Sequence, residues 1–385
     1  MAMGMGISMG MWMRDKKIAI ILQSLAKTGT ERVGVRLANY MADVLSLNVS
    51  IIVFESAYNP YIASPKVIIR DLNIPEGKNT VARIVMLLKR KKALQKCFQQ
   101  GHFDQIISFQ EILNFPAILT GFPVVVASMS PPSVCGKKLQ KLFFLYKRKN
   151  VQRIIMQSNT MQNDFAKRGI HNTQVIRNSF GMFEKERLSS ENNLAQKFKQ
   201  PYFLAVGSYV PYKNFTLLIN AFSKTHCQKN FSLLIAGDGP ERFALSQLIE
   251  KLNLSDKVKL LGVQDDDSLD CLYRHAYATV LSSIFDAYPL VLIESLSKGT
   301  PIIATDCPDG PREIIIHEQN GFLVAPQHEL AMRDALDVFA ADSSLRQKCA
   351  DYAAESVAHL TMDKIVTQWT DLCNSGDLCL TENPF

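Results

Sequence analysis

The chain has 385 residues, 47% of them hydrophobic, and a formal net charge of +7; that much apolar material excludes a disordered chain and provides for two or three domains with cores of their own. The charge is divided. Residues 1–200 carry 29 Lys and Arg against 12 Asp and Glu, net +17, whereas residues 201–385 carry 14 against 24, net −10, so one half is suited to something anionic: nucleic acid, a lipid surface or a lipid diphosphate.

No apolar run reaches the roughly 20 residues of a membrane helix. The eight cysteines have neither CxxC spacing nor a pairing rhythm, which excludes a disulfide-stapled scaffold and suits reduced thiols in a cytoplasm. Residues 1–15 lack a charged segment followed by a continuous apolar one, so they do not read as a signal peptide and are expected to form a disordered tail. From residue 16 the pattern is α/β. KIAIILQSL (17–25) is an apolar strand, AKTGT a loop, and ERVGVRLANYMADVL has apolar residues at 33, 37, 41, 44 and 45, which is helical spacing. Thr28 and Glu31 stand as a T-x-x-E capping box at the start of that helix. Strands are expected at 48–54, 66–72, 104–109, 122–129 and 153–158, with a basic helix around 80–100.

A polar stretch at about 185–200 reads as a linker, after which the pattern restarts. Strands follow at 202–207, 231–237, 258–262, 277–283 and 300–306, with helices at about 214–224 and 240–252. The expected fold class is α/β, two doubly wound Rossmann-like domains facing across a cleft, the first over 16–185 and the second over 200–358. Ligands in such sheets bind at the carboxyl ends of the strands, so the cleft is the expected active site.

The segment FDAYPLVLIES sets Asp286 and Glu294 eight positions apart around an apolar run. Pro289 suits the first position of a helix and Gly299 its C′ position, and Leu290, Val291, Leu292, Ile293 and Leu296 leave that helix almost no wet face. An ionised Glu294 there is costly unless it meets donors, which a ribose would supply and a core Arg or backbone N–H would supply equally. The free N–H groups at the helix start favour phosphate. Lys213, just past a strand that ends at Gly207, suits a diphosphate, although a solvated loop lysine is the commoner fate of a single Lys. No HxH, HExxH or DxD pattern is placed for a metal, and the first strand-loop-helix lacks the G-x-G-x-x-G of a dehydrogenase. KRKK (89–92) and KKLQKLFFLYKRKN (137–150) interleave cations with Leu, Phe and Tyr, a composition that fits a solvated face or an anionic membrane surface.

Taken in order, GSYVPYKN, LLIAGDGPER, SSIFDAYPLVLIESLSKGTPIIATDCPDGPREII and NGFLV resemble the donor-binding half of the family 4 retaining glycosyltransferases, group 1 enzymes of the GT-B fold. SLAKTGTERVGVRLANYMA is similar to that family's Gly-rich loop and following helix. The resemblance implies an N-terminal acceptor-binding domain, a C-terminal nucleotide-sugar-binding domain, and a helix at about 360–380 packing back on the first. The family's acid-x7-acid motif falls on Asp286, implied to contact donor-sugar hydroxyls, and Glu294, implied to hold the ribose; Lys213 is implied to neutralise the leaving diphosphate. These three are the implied catalytic residues. The implied donor site comprises Gly29 and Thr30, in a loop that closes over the donor, with Gly207, Ser208, Lys213, Gly237, Val263, Tyr288, Pro289, Leu290, Val291 and Glu294.

The implied activity is a retaining, metal-independent hexosyl or related transfer from a UDP- or GDP-sugar to a lipid-linked or saccharide acceptor, in surface polysaccharide or lipopolysaccharide biosynthesis. No cofactor and no nucleic acid partner are implied. The protein is expected in the cytoplasm, peripheral on the anionic inner face of the cytoplasmic membrane through its basic half. The sequence departs from the family at three points: Asp286 stands for the usual Glu, Ser208 for a common Arg, and ASMSPPS for a loop that usually carries a His, leaving Ser128 and Ser130 as its substitutes. These departures keep a second reading open, a catalytically degenerate sugar-nucleotide-binding or scaffold protein; a GT-B nucleotide-sugar epimerase is a third.

Overall fold

A computed structural model describes residues 16–26, 28–55, 61–77, 79–133, 135–181, 198 and 200–374. The expected tail and nearly all of the expected linker lie outside them. The chain divides into two units: residues up to Asn178 together with those from Met362, and Ser179–Thr361.

The first unit alternates β1 (Lys17–Ile21), α1 (Gly29–Asp43), β2 (Asn48–Val53), β3 (Ile68–Asp71), α2 (Thr80–Gly101), β4 (Gln105–Phe109), α3 (Glu111–Leu119), β5 (Val124–Ala127), α4 (Lys137–Gln140), β6 (Val151–Met156), α5 (Asn159–Ala166) and β7 (Thr173–Val175). The sheet is parallel, in the order β3-β2-β1-β4-β5-β6-β7. The central strands are apolar almost without interruption because helices cover both faces, and β4 and β5 are buried throughout. Strand β7, a half-buried TQV at the edge, carries too little apolar signal to be read from the sequence.

Two local expectations are corrected. Thr28 does occupy the N-cap of α1, but its hydroxyl donates to the Glu31 carboxylate instead of accepting a backbone N–H, so the reciprocal capping box does not form. Burial then raises the pKa of Glu31 against that hydrogen bond. In KKLQKLFFLYKRKN, Phe143, Leu145 and Tyr146 are buried, and Phe143 and Tyr146 form an aromatic cluster with Phe115 and Phe165; the sequence pattern could not distinguish this core use from a membrane face.

The second unit runs β8 (Tyr202–Val206), α6 (Phe215–Ser223), β9 (Ser232–Ala236), α7 (Arg242–Lys251), β10 (Val258–Gly262), α8 (Asp266–His275), β11 (Ala278–Leu281), α9 (Leu290–Ser297), β12 (Ile302–Thr305), α10 (Pro311–Ile314), β13 (Gly321–Val324), α11 (Glu329–Ala341) and α12 (Ser343–Ser356). Its sheet is again parallel, in the order β10-β9-β8-β11-β12-β13. The larger core lies under β8, β9 and β11, where Phe203, Leu233, Ile235 and Val280 meet α6, α7 and α11. The last helix, α13 (Met362–Asn374), returns to the first unit: it packs on α1, and Trp369 lies 5.7 Å from the ring of Phe109 at the end of β4. Among the described residues no helix is long and apolar enough to cross a membrane.

Candidate functional site

In the second sheet the strand order reverses between β8 and β11, and the crevice outside the carboxyl ends of such a pair is where an open α/β sheet takes a ligand. Past β8 the chain turns through Gly207, the exposed Ser208 and a 3₁₀ turn, Pro211–Lys213. Past β11 it runs through Ser282 and Ser283 to Asp286. Two bonds stitch these loops: Ser282 Oγ donates to the Lys213 carbonyl at 2.8 Å, and the Ile284 N–H to the Tyr212 carbonyl at 2.7 Å.

Lys213 and Asp286 are thereby brought together. Nζ donates to Oδ2 at 2.5 Å, with each side chain only 15% exposed. Burial alone would lower the lysine pKa, but the Asp286 carboxylate outweighs it and holds the ammonium above its usual value. Cys307, fully buried, is pushed up to about 12 by burial and then by the same carboxylate. Asp286, implied to face donor-sugar hydroxyls, therefore already engages Lys213 with one oxygen. Its backbone carbonyl accepts from the Gly310 N–H at 3.0 Å. Position 310 must be glycine for this packing, because a Cβ there would lie 2.6 Å from Pro289 Cδ and 2.7 Å from the Ala287 carbonyl oxygen. Gly237, at the end of β9, has φ 139°, and a Cβ on it would lie 1.9 Å from the Gly207 carbonyl oxygen; the loops after β8 and β9 are thus in backbone contact.

Pro289 is the N-cap of α9, one residue before the position expected for it, because its ψ of 115° is extended. Gly299 has φ 78° one residue past the C-cap, as its C′ role requires. Glu294 is 4% exposed, and Tyr273 Oη, on α8, donates to its Oε2 at 3.4 Å. A tyrosine hydroxyl therefore supplies one of the donors that its burial calls for. Tyr288 and Pro289 are buried, Leu290 and Val291 half-buried, and Val263 is exposed just past β10. Ser283 Oγ is buried and makes no hydrogen bond with the described residues. A helix N-terminus and an unpaired hydroxyl on the loop after β11, with a cation brought to that loop from the one after β8, suit an anion such as a diphosphate.

In the first unit, Gly29 and Thr30 form the first turn of α1 and not a loop, since the chain turns helical directly after the extended Thr28. Ser128 is fully buried with its hydroxyl on Glu111 Oε1 at 2.5 Å, so it is not available to a sugar. Ser130 is partly exposed, and its hydroxyl makes no hydrogen bond with the described residues. Sequence reasoning missed Glu111, Tyr273, Ser283 and Cys307. Only the position of Glu111 immediately past a strand was a signal, and a single acid there is a weak one.

Two parallel sheets with this strand order make a doubly wound GT-B protein, with a paired Lys and Asp at the reversal of the second sheet. Residues 186–356, most of the second unit, match the family described as Glycosyl transferases group 1. The chain is 24% identical over 365 residues to the Campylobacter jejuni GalNAc-alpha-(1->4)-GalNAc-alpha-(1->3)-diNAcBac-PP-undecaprenol alpha-1,4-N-acetyl-D-galactosaminyltransferase, covering 92% of this chain and 98% of that one. It is 32% identical over 176 residues to the amylovoran biosynthesis glycosyltransferase AmsD of Erwinia amylovora, 46% of this chain and 49% of that one. Several curated relatives are matched over about half their length or less. Among solved structures, Anabaena HepE in complex with UDP and glucose shares the fold, with a TM-score of 0.76 and 19% identity over 94% of this chain and all of that one.

Proposed function

We propose that this protein is a retaining glycosyltransferase that moves a sugar from a nucleoside-diphosphate sugar to a saccharide or lipid-linked acceptor during assembly of a surface polysaccharide or lipopolysaccharide. The observation that carries the reading is the Lys213–Asp286 pair at the β8/β11 reversal, four residues before the helix that bears Glu294. HepE, whose structure holds UDP, and the Campylobacter transferase, whose name specifies an undecaprenyl diphosphate acceptor, point to the same substrate classes.

In this reading the bond between the anomeric carbon and the β-phosphate oxygen breaks and its electron pair leaves with the diphosphate. Lys213, kept charged by Asp286, and the N–H groups of Leu290 and Val291 meet that charge. The acceptor hydroxyl attacks from the same face and passes its proton to the departing phosphate oxygen, so neither a carboxylate nucleophile nor a metal is called for. Glu294, fastened by Tyr273, takes the ribose hydroxyls.

Membrane contact is a further part of the proposal. Helix α2 turns Val81, Ile84, Val85 and Leu88 outward, 72%, 58%, 42% and 52% exposed at helical spacing, with Lys89, Lys92 and Lys96 exposed beyond them. Such a row suits an anionic bilayer.

Calorimetric titration with UDP and GDP tests the donor site. Binding of one of them, lost in Glu294→Ala, is expected; binding of neither would favour the degenerate scaffold. Flotation with vesicles containing phosphatidylglycerol tests the membrane face, and Ile84→Asp with Leu88→Asp should abolish it.

A further inference from the structure

The first sheet also reverses its strand order, between β1 and β4, and there the chain makes an unusual turn. Past β4, Gln110 adopts φ 73° and ψ 145°, a conformation that strains any residue but glycine, and it caps α3. The next residue, Glu111, is 7% exposed. Its Oε1 accepts from Ser128 Oγ at 2.5 Å, the Met129 N–H at 3.1 Å and the Ser130 N–H at 3.4 Å, the three residues directly after β5. The Gln110 N–H and Asn114 Nδ2 both donate to the Ala127 carbonyl, at 3.1 and 2.9 Å. The end of β5 is thus clamped to the start of α3, and among the described residues no cation pairs with the carboxylate at the centre of the clamp.

We propose that Glu111 is a positioning residue for sugar transfer: it fixes the Ser128–Ser130 turn so that the free Ser130 hydroxyl meets a hydroxyl of the saccharide substrate. The inference rests on the transferase reading above. A buried acid that gathers three donors from one turn, next to a strained residue and at a strand reversal, is an arrangement that packing alone does not require. Burial raises the Glu111 pKa, and the three donors act against that rise.

The test compares the full-length wild type with Glu111→Ala, Glu111→Gln and Ser130→Ala. Nucleoside diphosphate release is measured from UDP-N-acetylgalactosamine, UDP-glucose and GDP-mannose, well below each melting temperature, alongside calorimetric affinity for UDP and GDP. The expected result for Glu111→Ala is a fall in kcat/KM of at least tenfold with nucleotide affinity within twofold of wild type. Glu111→Gln, which keeps an acceptor oxygen, restores most of the rate, and Ser130→Ala lowers it several-fold. Wild-type kcat/KM in Glu111→Ala overturns the proposal, as does an equal loss of nucleotide affinity. If Glu111→Ala does not fold, an unchanged rate in Ser130→Ala, whose side chain is partly exposed, overturns it too. A wild type that binds nucleotide but turns over none of the three donors removes the transferase reading itself, and the role of Glu111 with it.

Discussion

The Lys213–Asp286 pair gives the sharpest prediction. Replacing Lys213 by Met removes the only cation that, among the described residues, pairs with a carboxylate that is 15% exposed. Breaking a buried pair typically costs about 3–5 kcal/mol; the residual water access here reduces this to about 2–3 kcal/mol. For a unit of this size each kcal/mol moves the melting temperature by about 2–4 °C, so Lys213→Met should melt about 5–10 °C lower. Asp286→Asn should cost less, because a lysine can swing its ammonium to water. The double variant, with neither charge left unpaired, should be more stable than the two losses added together, by about 1–2 kcal/mol of coupling. Thermal denaturation of the four proteins closes the cycle. The lysine pKa is raised on folding, so its contribution is complete below the unfolded value near 10.5 and fades as pH rises through the folded value above it; the coupling should be constant from pH 6 to pH 9. A coupling under about 0.5 kcal/mol would refute the pair as a formed interaction.

Three further outcomes are expected. Glu294→Gln keeps the shape of a 4%-exposed side chain but not its charge, and nucleoside diphosphate affinity should fall about 10- to 100-fold by calorimetry, in line with a charged hydrogen bond. Gly237→Ala places a Cβ 1.9 Å from the Gly207 carbonyl oxygen at φ 139°; the loop must shift, and both the melting temperature and nucleotide affinity should drop. Glu111 has a raised pKa, so the folded state binds a proton more tightly than the unfolded chain and loses stability as pH rises from about 4.5 through the folded value. Glu111→Gln should therefore gain in melting temperature relative to wild type as pH rises from about 4.5, and a difference independent of pH would show that folding does not raise the pKa of this acid.

Much of the fold was legible because its determinants are local. Apolar runs such as KIAII and QIISF are strands buried on both faces, and their alternation with helical spacing requires parallel sheets. Boundaries shifted where one dihedral decided them: the extended Pro289 delayed α9 by one residue, and the extended Thr28 let α1 begin at Gly29. The sequence LFFLYK could be amphipathic surface or core, and only the rings of Phe115 and Phe165, brought up from α3 and α5, decide for core.

The sequence offered candidate residues for a site but not the contacts among them, since those contacts form only where the strand order reverses. Lys213 and Asp286 stand 73 positions apart, and no spacing rule links them; they meet because β8 and β11 are neighbours in the sheet while β9 and β10 lie on the other side of β8. The same topology explains why Glu111 went unnoticed. It lies after β4, the neighbour that β1 acquires at the first reversal, and its three donors come from the loop after β5. A lone acid past a strand has little meaning in a sequence. At a strand reversal, with three donors of one turn gathered on it, the same acid fixes the geometry of a loop at the carboxyl edge of the sheet.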